Sequence, residues 1–260
     1  MLGKVLKYDL KALFRCLIPL YVLLLGLGVM VRLLGFFDNI SIIAIICGLM
    51  MVALVFLAVL SFVLTGIFSV KHYLENLFKD EGYLTHTLPV KKGTLLVSKV
   101  LSSLITFILT ALVLLVSLLI AFYQEGLFGD VIKAFNLSFF GTKVYEVILF
   151  MIVYGIIAYL TTILMIYAAI AIGFSRSSNK VVSSVVCAFV FYFVMEFIYL
   201  VILSAIIVIN PTFISNLDSE VFMMRDLICF FAIFMVLTAL LGGVYYYISY
   251  RYMNKKLNLE

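Results

Sequence analysis

Six times along the chain a run of about 20 or more apolar residues is followed by a short polar stretch. A helix rises about 1.5 Å per residue, so about 20 residues cross the roughly 30 Å of hydrocarbon in a bilayer. Windows of that length place spans near 17–36, 40–70, 100–123, 144–173, 181–209 and 226–249. The runs are too long, and too free of strict alternation, for the strands of an outer-membrane barrel. The pattern predicts an all-α integral membrane protein with six transmembrane helices. The second, fourth and fifth runs reach about 30 residues, so they tilt or project into water.

The polar stretches have patterns of their own. Wound as a helix, LGKVLKYDLKALFRCL (2–17) gathers Lys4, Lys7, Lys11 and Arg15 within about 80° of arc. Leu2, Leu6, Leu10, Leu13 and Leu17 fall on the other side. This predicts an interfacial amphipathic helix over 1–16, with its basic residues facing water and anionic lipid. Asp9 falls on the apolar side, and the amphipathic pattern gives it no role there.

After the second run, HYLENLFK keeps helical spacing, so that helix is expected to protrude from the membrane. Asp80 is placed to cap a new short helix, and Gly82 permits a change of direction. Leu84 and Leu88 give the short helix one greasy stripe, and Pro89 ends it. Lys91 and Lys92 then anchor the third span at the headgroups. The domain reading is one transmembrane unit over 1–260: interfacial helix 1–16, six-helix bundle 17–249 and tail 250–260.

Composition and charge sharpen this picture. At 66% hydrophobic and 12% charged residues, the chain is not a water-soluble domain. Most of the 18 Lys and Arg residues lie in the N-terminal segment, the 71–99 loop, the 174–180 loop and the tail. Basic residues stay on the cytoplasmic side during insertion, so both termini are expected there. The net charge of +5 then requires no nucleic-acid partner. The first run is longer than a signal core and lacks a small-x-small cleavage site before Arg32, so it is read as retained. Cys16, Cys47, Cys187 and Cys229 are too scattered for a CxxC metal site or a disulfide framework.

Candidate chemistry is sparse. The chain has no GxxxxGK[ST], so no loop to cradle ATP phosphates. It has no HExxH or GxSxG, and both histidines, His72 and His86, are placed outside the spans. No catalytic residue and no metal ligand is therefore assigned, and an intramembrane enzyme is disfavoured. Glu196, mid-way along the fifth span, is costly there by about 2.5–3.5 kcal/mol and needs a partner. Tyr192 and Tyr199 share its helical face and can offer hydroxyls. Arg32 lies at a matching height, about 22 Å from the start of its own span. An Arg32–Glu196 contact, within a subunit or across a dimer, is one expectation, and a role on a substrate path is the other.

The run EGYLTHTLPVKKGTLLVSK, from Glu81 to Lys99, resembles the segment after the second membrane helix in permease subunits of type-2 ABC exporters. The six spans and the amphipathic N-terminal helix are similar to that family along the whole chain. The resemblance implies that Asp80, Glu81, Gly82, Tyr83, Leu84, Thr85, His86, Thr87 and Leu88 form a cytoplasmic coupling helix that docks on an ABC ATPase. It also implies two permease copies, as a homodimer or a heterodimer of paralogues, with the substrate path between them near helices one, two and five. ATP and Mg would belong to the partner ATPase, with no cofactor in this chain. Among relatives, the chain resembles compact permeases that export antimicrobial or toxin-like peptides, including phenol-soluble modulin exporters, from the bacterial plasma membrane. Here the loop from Asn210 to Arg225 is short, so a large extracellular cap is not expected. Hydrophobic drugs or lipids are the alternative cargo. An ion-driven carrier is disfavoured, because matching halves with Gly/Pro-broken helices are not seen.

Overall fold

A computed structural model describes residues 2–37, 41–79, 82, 90–123, 127–139, 142–176, 179–209 and 224–255. In chain order they form helices α1 (Leu2–Gly35), α2 (Ser41–Phe78), α3 (Lys92–Ala121) and α4 (Leu127–Asn136). A two-strand ladder follows, β1 (Ser138–Phe139) and β2 (Thr142–Lys143), and then α5 (Val144–Gly173), α6 (Lys180–Ile209) and α7 (Met224–Lys255). All of these helices except α4 are long and apolar enough to cross a membrane, so the chain is an all-α, six-span fold. The fourth apolar run, 144–173, coincides with α5 at both ends.

Several elements run further than their apolar stretches, α1 and α2 among them. α2 has 38 residues, which at 1.5 Å each is about 57 Å, and it overshoots the hydrocarbon by several turns. Its protruding end is covered, with Tyr73 and Leu77 fully buried and the Phe78 ring tilted against that of Tyr73 at 5.4 Å. α1 is one uninterrupted helix of 34 residues, so residues 2–16, expected as a headgroup helix in their own right, are its first half. Pro19 sits inside it, on an exposed position. Lys4, Lys7, Lys11 and Arg15 all face outward, as their arc requires.

The chain divides into two compact units, Met1–Leu127 and Phe128–Asn258. In the first, α1 lies along both α2 and α3, and α2 also packs on α3. Its apolar core has one cluster around Val31, Cys47, Leu54 and Ala121 and another around Leu17, Leu20 and Tyr21. Between them the interface is made close by small residues. Gly28 of α1 meets α3 so tightly that an added Cβ would lie 2.7 Å from the Ser117 carbonyl oxygen. The Ser117 hydroxyl donates to the Leu24 carbonyl at 2.7 Å.

The second unit uses the same device. Gly173 of α5 abuts the backbone of Ser184 on α6, and Gly242 of α7 abuts Thr161 on α5. The Thr161 hydroxyl donates to the Thr238 carbonyl at 3.0 Å. Lipid tails are as apolar as leucine, so large side chains gain little by turning inward; small residues and hydroxyls set the packing faces. α6 shows the consequence: its buried residues are Ser183 and Ser184, while Val, Leu and Phe line its exposed side.

Helix α4 and the β1–β2 ladder were not foreseen, because a ten-residue helix and two-residue strands are too short to register in a span-length window. The expected short loop from Asn210 falls, up to residue 223, outside the described residues.

Candidate functional site

The acid that the amphipathic pattern left unexplained is the centre of a buried charged cluster. Asp9 of α1 lies on the stripe that continues through Leu13, Leu17, Leu20 and Leu24, and all of these are buried. Lys99, in the second turn of α3, places its Nζ 2.6 Å from Asp9 Oδ1. Ser98, its chain neighbour, donates its hydroxyl to Asp9 Oδ2 at 2.6 Å. His72, six residues before the end of α2, places Nε2 3.0 Å from Asp9 Oδ1 and 2.9 Å from Lys99 Nζ. Nε2 fills one role at a time, accepting from the Lys99 ammonium or donating to Asp9.

Burial decides what this cluster is worth. The side chains of Lys99 and Asp9 are 1% and 5% exposed, and that of His72 is 18% exposed. An ion pair out of water gains little net stability over a well-packed apolar pair, but losing one partner strands the other and costs about 3–5 kcal/mol. The cluster therefore fixes register. It allows one alignment of α1, α2 and α3, at the level where the apolar runs of α2 and α3 end.

From there a seam of hydroxyls runs along the helix interfaces. Ser61, Thr65 and Ser69 recur at every fourth residue of α2, and Ser102, Thr106 and Thr110 do so on α3, all buried. All six donate back to a carbonyl of their own helix, as Thr65 does to Ser61 at 2.7 Å and Thr110 to Thr106 at 2.8 Å. Thr110 also joins the three helices, with its hydroxyl 2.8 Å from that of Tyr21 and 3.0 Å from that of Thr65.

Of the residues expected to couple the chain to an ATPase, Asp80, Glu81, Tyr83, Leu84, Thr85, His86, Thr87 and Leu88 lie outside the described residues. Gly82 is buried, and its N–H donates to the Lys79 carbonyl at 2.7 Å. The flanks of the segment are clear. α2 continues to Phe78, as the spacing of HYLENLFK predicts, and α3 begins at Lys92 behind an extended Lys91.

No match is found for this chain among protein-family profiles, curated proteins or solved structures. The chemistry of the site therefore rests on its own residues.

The residues expected to make polar contacts inside the membrane, Arg32, Tyr192, Glu196 and Tyr199, are all among those described. Arg32 is in the last turn of α1, where the helix dipole favours a cation. Its guanidinium carbon lies 4.7 Å from the Phe36 ring centre and 5.6 Å from that of Tyr123. The aromatic faces hold the charge at the rim of a cavity of about 180 Å³. Glu196 is half-buried near the middle of α6. The Tyr199 hydroxyl lies 2.9 Å from that of Thr238 on α7, which faces it across the helix interface. Tyr192 is 46% exposed, with its ring 6.1 Å from that of Phe193. Arg32 belongs to the first unit and Glu196 to the second.

Sequence reasoning missed Lys99, Ser98 and His72 as partners of Asp9. The signal was there: an acid on the apolar side of a helix next to a membrane demands a base, and Lys99 interrupts the apolar run TLLVSKVL. Among the described residues no group of three or more His, Cys, Asp and Glu is placed to hold a metal ion.

Proposed function

We propose that this chain is the permease subunit of an ATP-driven exporter of the type-2 ABC class, in which a separate cytoplasmic ATPase docks on the segment between α2 and α3. One observation carries the reading: both helices that flank this segment are clamped to each other and to α1 by the buried Asp9–His72–Lys99–Ser98 cluster. A push on the segment is then delivered to three helices at once rather than lost in a loose loop. The long overshoot of α2 and the coupling-segment motif from Glu81 to Lys99 support it. These 260 residues contain no phosphate-cradling sequence, and the reading assigns nucleotide turnover to a partner.

Within this reading two permease copies assemble in a bacterial plasma membrane with both termini cytoplasmic. The cargo is an amphipathic peptide of antimicrobial or toxin-like character; hydrophobic drugs and lipids are the alternative. A second reading has an observation of its own in its favour. Buried Asp, His and Lys side chains beside a membrane are the usual parts of a proton relay, so an ion-driven carrier is the competitor.

One experiment separates the two. The tagged chain, purified from its native membrane and reconstituted, co-purifies with a nucleotidase whose ATP hydrolysis rises when amphipathic peptide is added. Transport driven by an imposed proton gradient, with no nucleotidase bound, would establish the carrier instead.

A further inference from the structure

The short helix α4 carries a feature that the proposed function leaves unused. In LFGDVIKAFN the apolar positions gather on one side, within about 160° of arc. Its described side chains are exposed, including Val131 at 37% and Phe135 at 38% on the apolar side and Asp130, Lys133 and Asn136 on the polar side. Among the described residues, then, nothing fully covers Val131 and Phe135.

The chain fixes where this face sits. At its far end α4 passes into β1 through Leu137, and the Val144 N–H donates to the Leu137 carbonyl at 3.0 Å. The antiparallel pairs Ser138–Lys143 and Phe139–Thr142 hold the two strands together. The end of α4 is therefore held one hydrogen bond from the first residue of α5, a 30-residue apolar helix. The start of α5 has the marks of a headgroup boundary: Lys143 caps it, with its ammonium 5.7 Å from the Tyr145 ring. At its other end α4 follows Ala121, the end of α3, by only a few residues, and Phe122 and Tyr123 there are about half exposed.

We infer that α4 is an interfacial helix that lies flat on the bilayer where α3 leaves it and α5 enters. Val131 and Phe135 reach into the acyl boundary, and Asp130, Lys133 and Asn136 face water. The occupant of the exposed face is lipid, because the attachment to the start of α5 puts the helix at headgroup depth. A ten-residue helix tethered there needs no folding partner to bury its apolar side. Its role is to seat the α3–α5 connection at a fixed depth, which neither span supplies by itself.

The chain contains no tryptophan, so one inserted indole reports its own surroundings without background. Single variants Phe135→Trp and Val131→Trp probe the apolar side, and Lys133→Trp and Asn136→Trp the polar side. Each is reconstituted in vesicles of phosphatidylcholine and phosphatidylglycerol, with or without bromine near the top of the acyl chains. Bromolipid is expected to quench the two apolar-side indoles at least about two-fold more than the polar-side ones, while aqueous iodide quenches in the reverse order. Equal iodide quenching at all four positions would put α4 in water and overturn the inference. So would apolar-side indoles shielded from both quenchers, which would mean that protein covers the face. Two variants on each side keep the comparison valid if one does not assemble.

Discussion

Asp9 shows how much one side chain can constrain. It accepts from Lys99 and Ser98 and lies 3.0 Å from His72 Nε2, so its loss strands a buried ammonium. Asp9→Ala is expected to destabilise the purified protein by about 3–5 kcal/mol, read as a lowered thermal midpoint in detergent. Removing the stranded charge as well, in Asp9→Ala/Lys99→Met, should recover part of that loss, because an apolar pair of similar volume has no charge to desolvate. A double variant no more stable than the single one would show that the pair is not the source of the cost. Asp9 was conspicuous from sequence as an acid among leucines, whereas Lys99 and His72 read there as ordinary residues of a basic cytoplasmic loop. Helical periodicity tells which residues of one helix share a face, but not which residue of another helix meets them.

Small residues govern the helix crossings. At Gly173 a methyl group would run into the Ser184 backbone, which cannot rotate away, so α5 and α6 would have to separate. Gly173→Ala is expected to cost about 1–3 kcal/mol, the usual penalty of overpacking. At Gly155, on the same helix, nothing lies within 4 Å, and Gly155→Ala should be neutral or stabilising by up to about 1 kcal/mol through helix propensity. Matched thermal melts of the two variants check this; equal shifts would mean that the crossing relaxes freely. The glycines look alike in sequence, and only the neighbouring helix separates them. The length of α2 was legible, since amphipathic spacing persists past its apolar run to Phe78. The continuity of α1 was not, because the break between a basic amphipathic turn and an apolar one looks the same whether or not the helix bends there.

For the whole molecule, the proposed route of force predicts a separation of assembly from folding. Leu84→Asp puts a charge on the expected greasy stripe of the segment between α2 and α3, outside the clamp. The variant should lose most of its associated nucleotidase in a pull-down while melting at the parent's temperature, because Asp9, His72 and Lys99 are untouched. An undiminished nucleotidase yield, or cysteines at Leu84 and His86 labelled only from outside intact cells, would remove the docking surface from that loop.

The sequence alone determined the class of the molecule: apolar runs of membrane-crossing length admit only helices, since a backbone in lipid must satisfy its own hydrogen bonds. Those runs also set how many spans there are and, for the fourth and fifth, where the helices begin and end to within a turn. Only the tertiary structure decided which faces meet. In a chain that is apolar nearly all round, inward and outward differ by a glycine, a hydroxyl or a lone charge rather than by hydrophobicity. Asp9 finding Lys99, 90 positions away, is that decision in its clearest form.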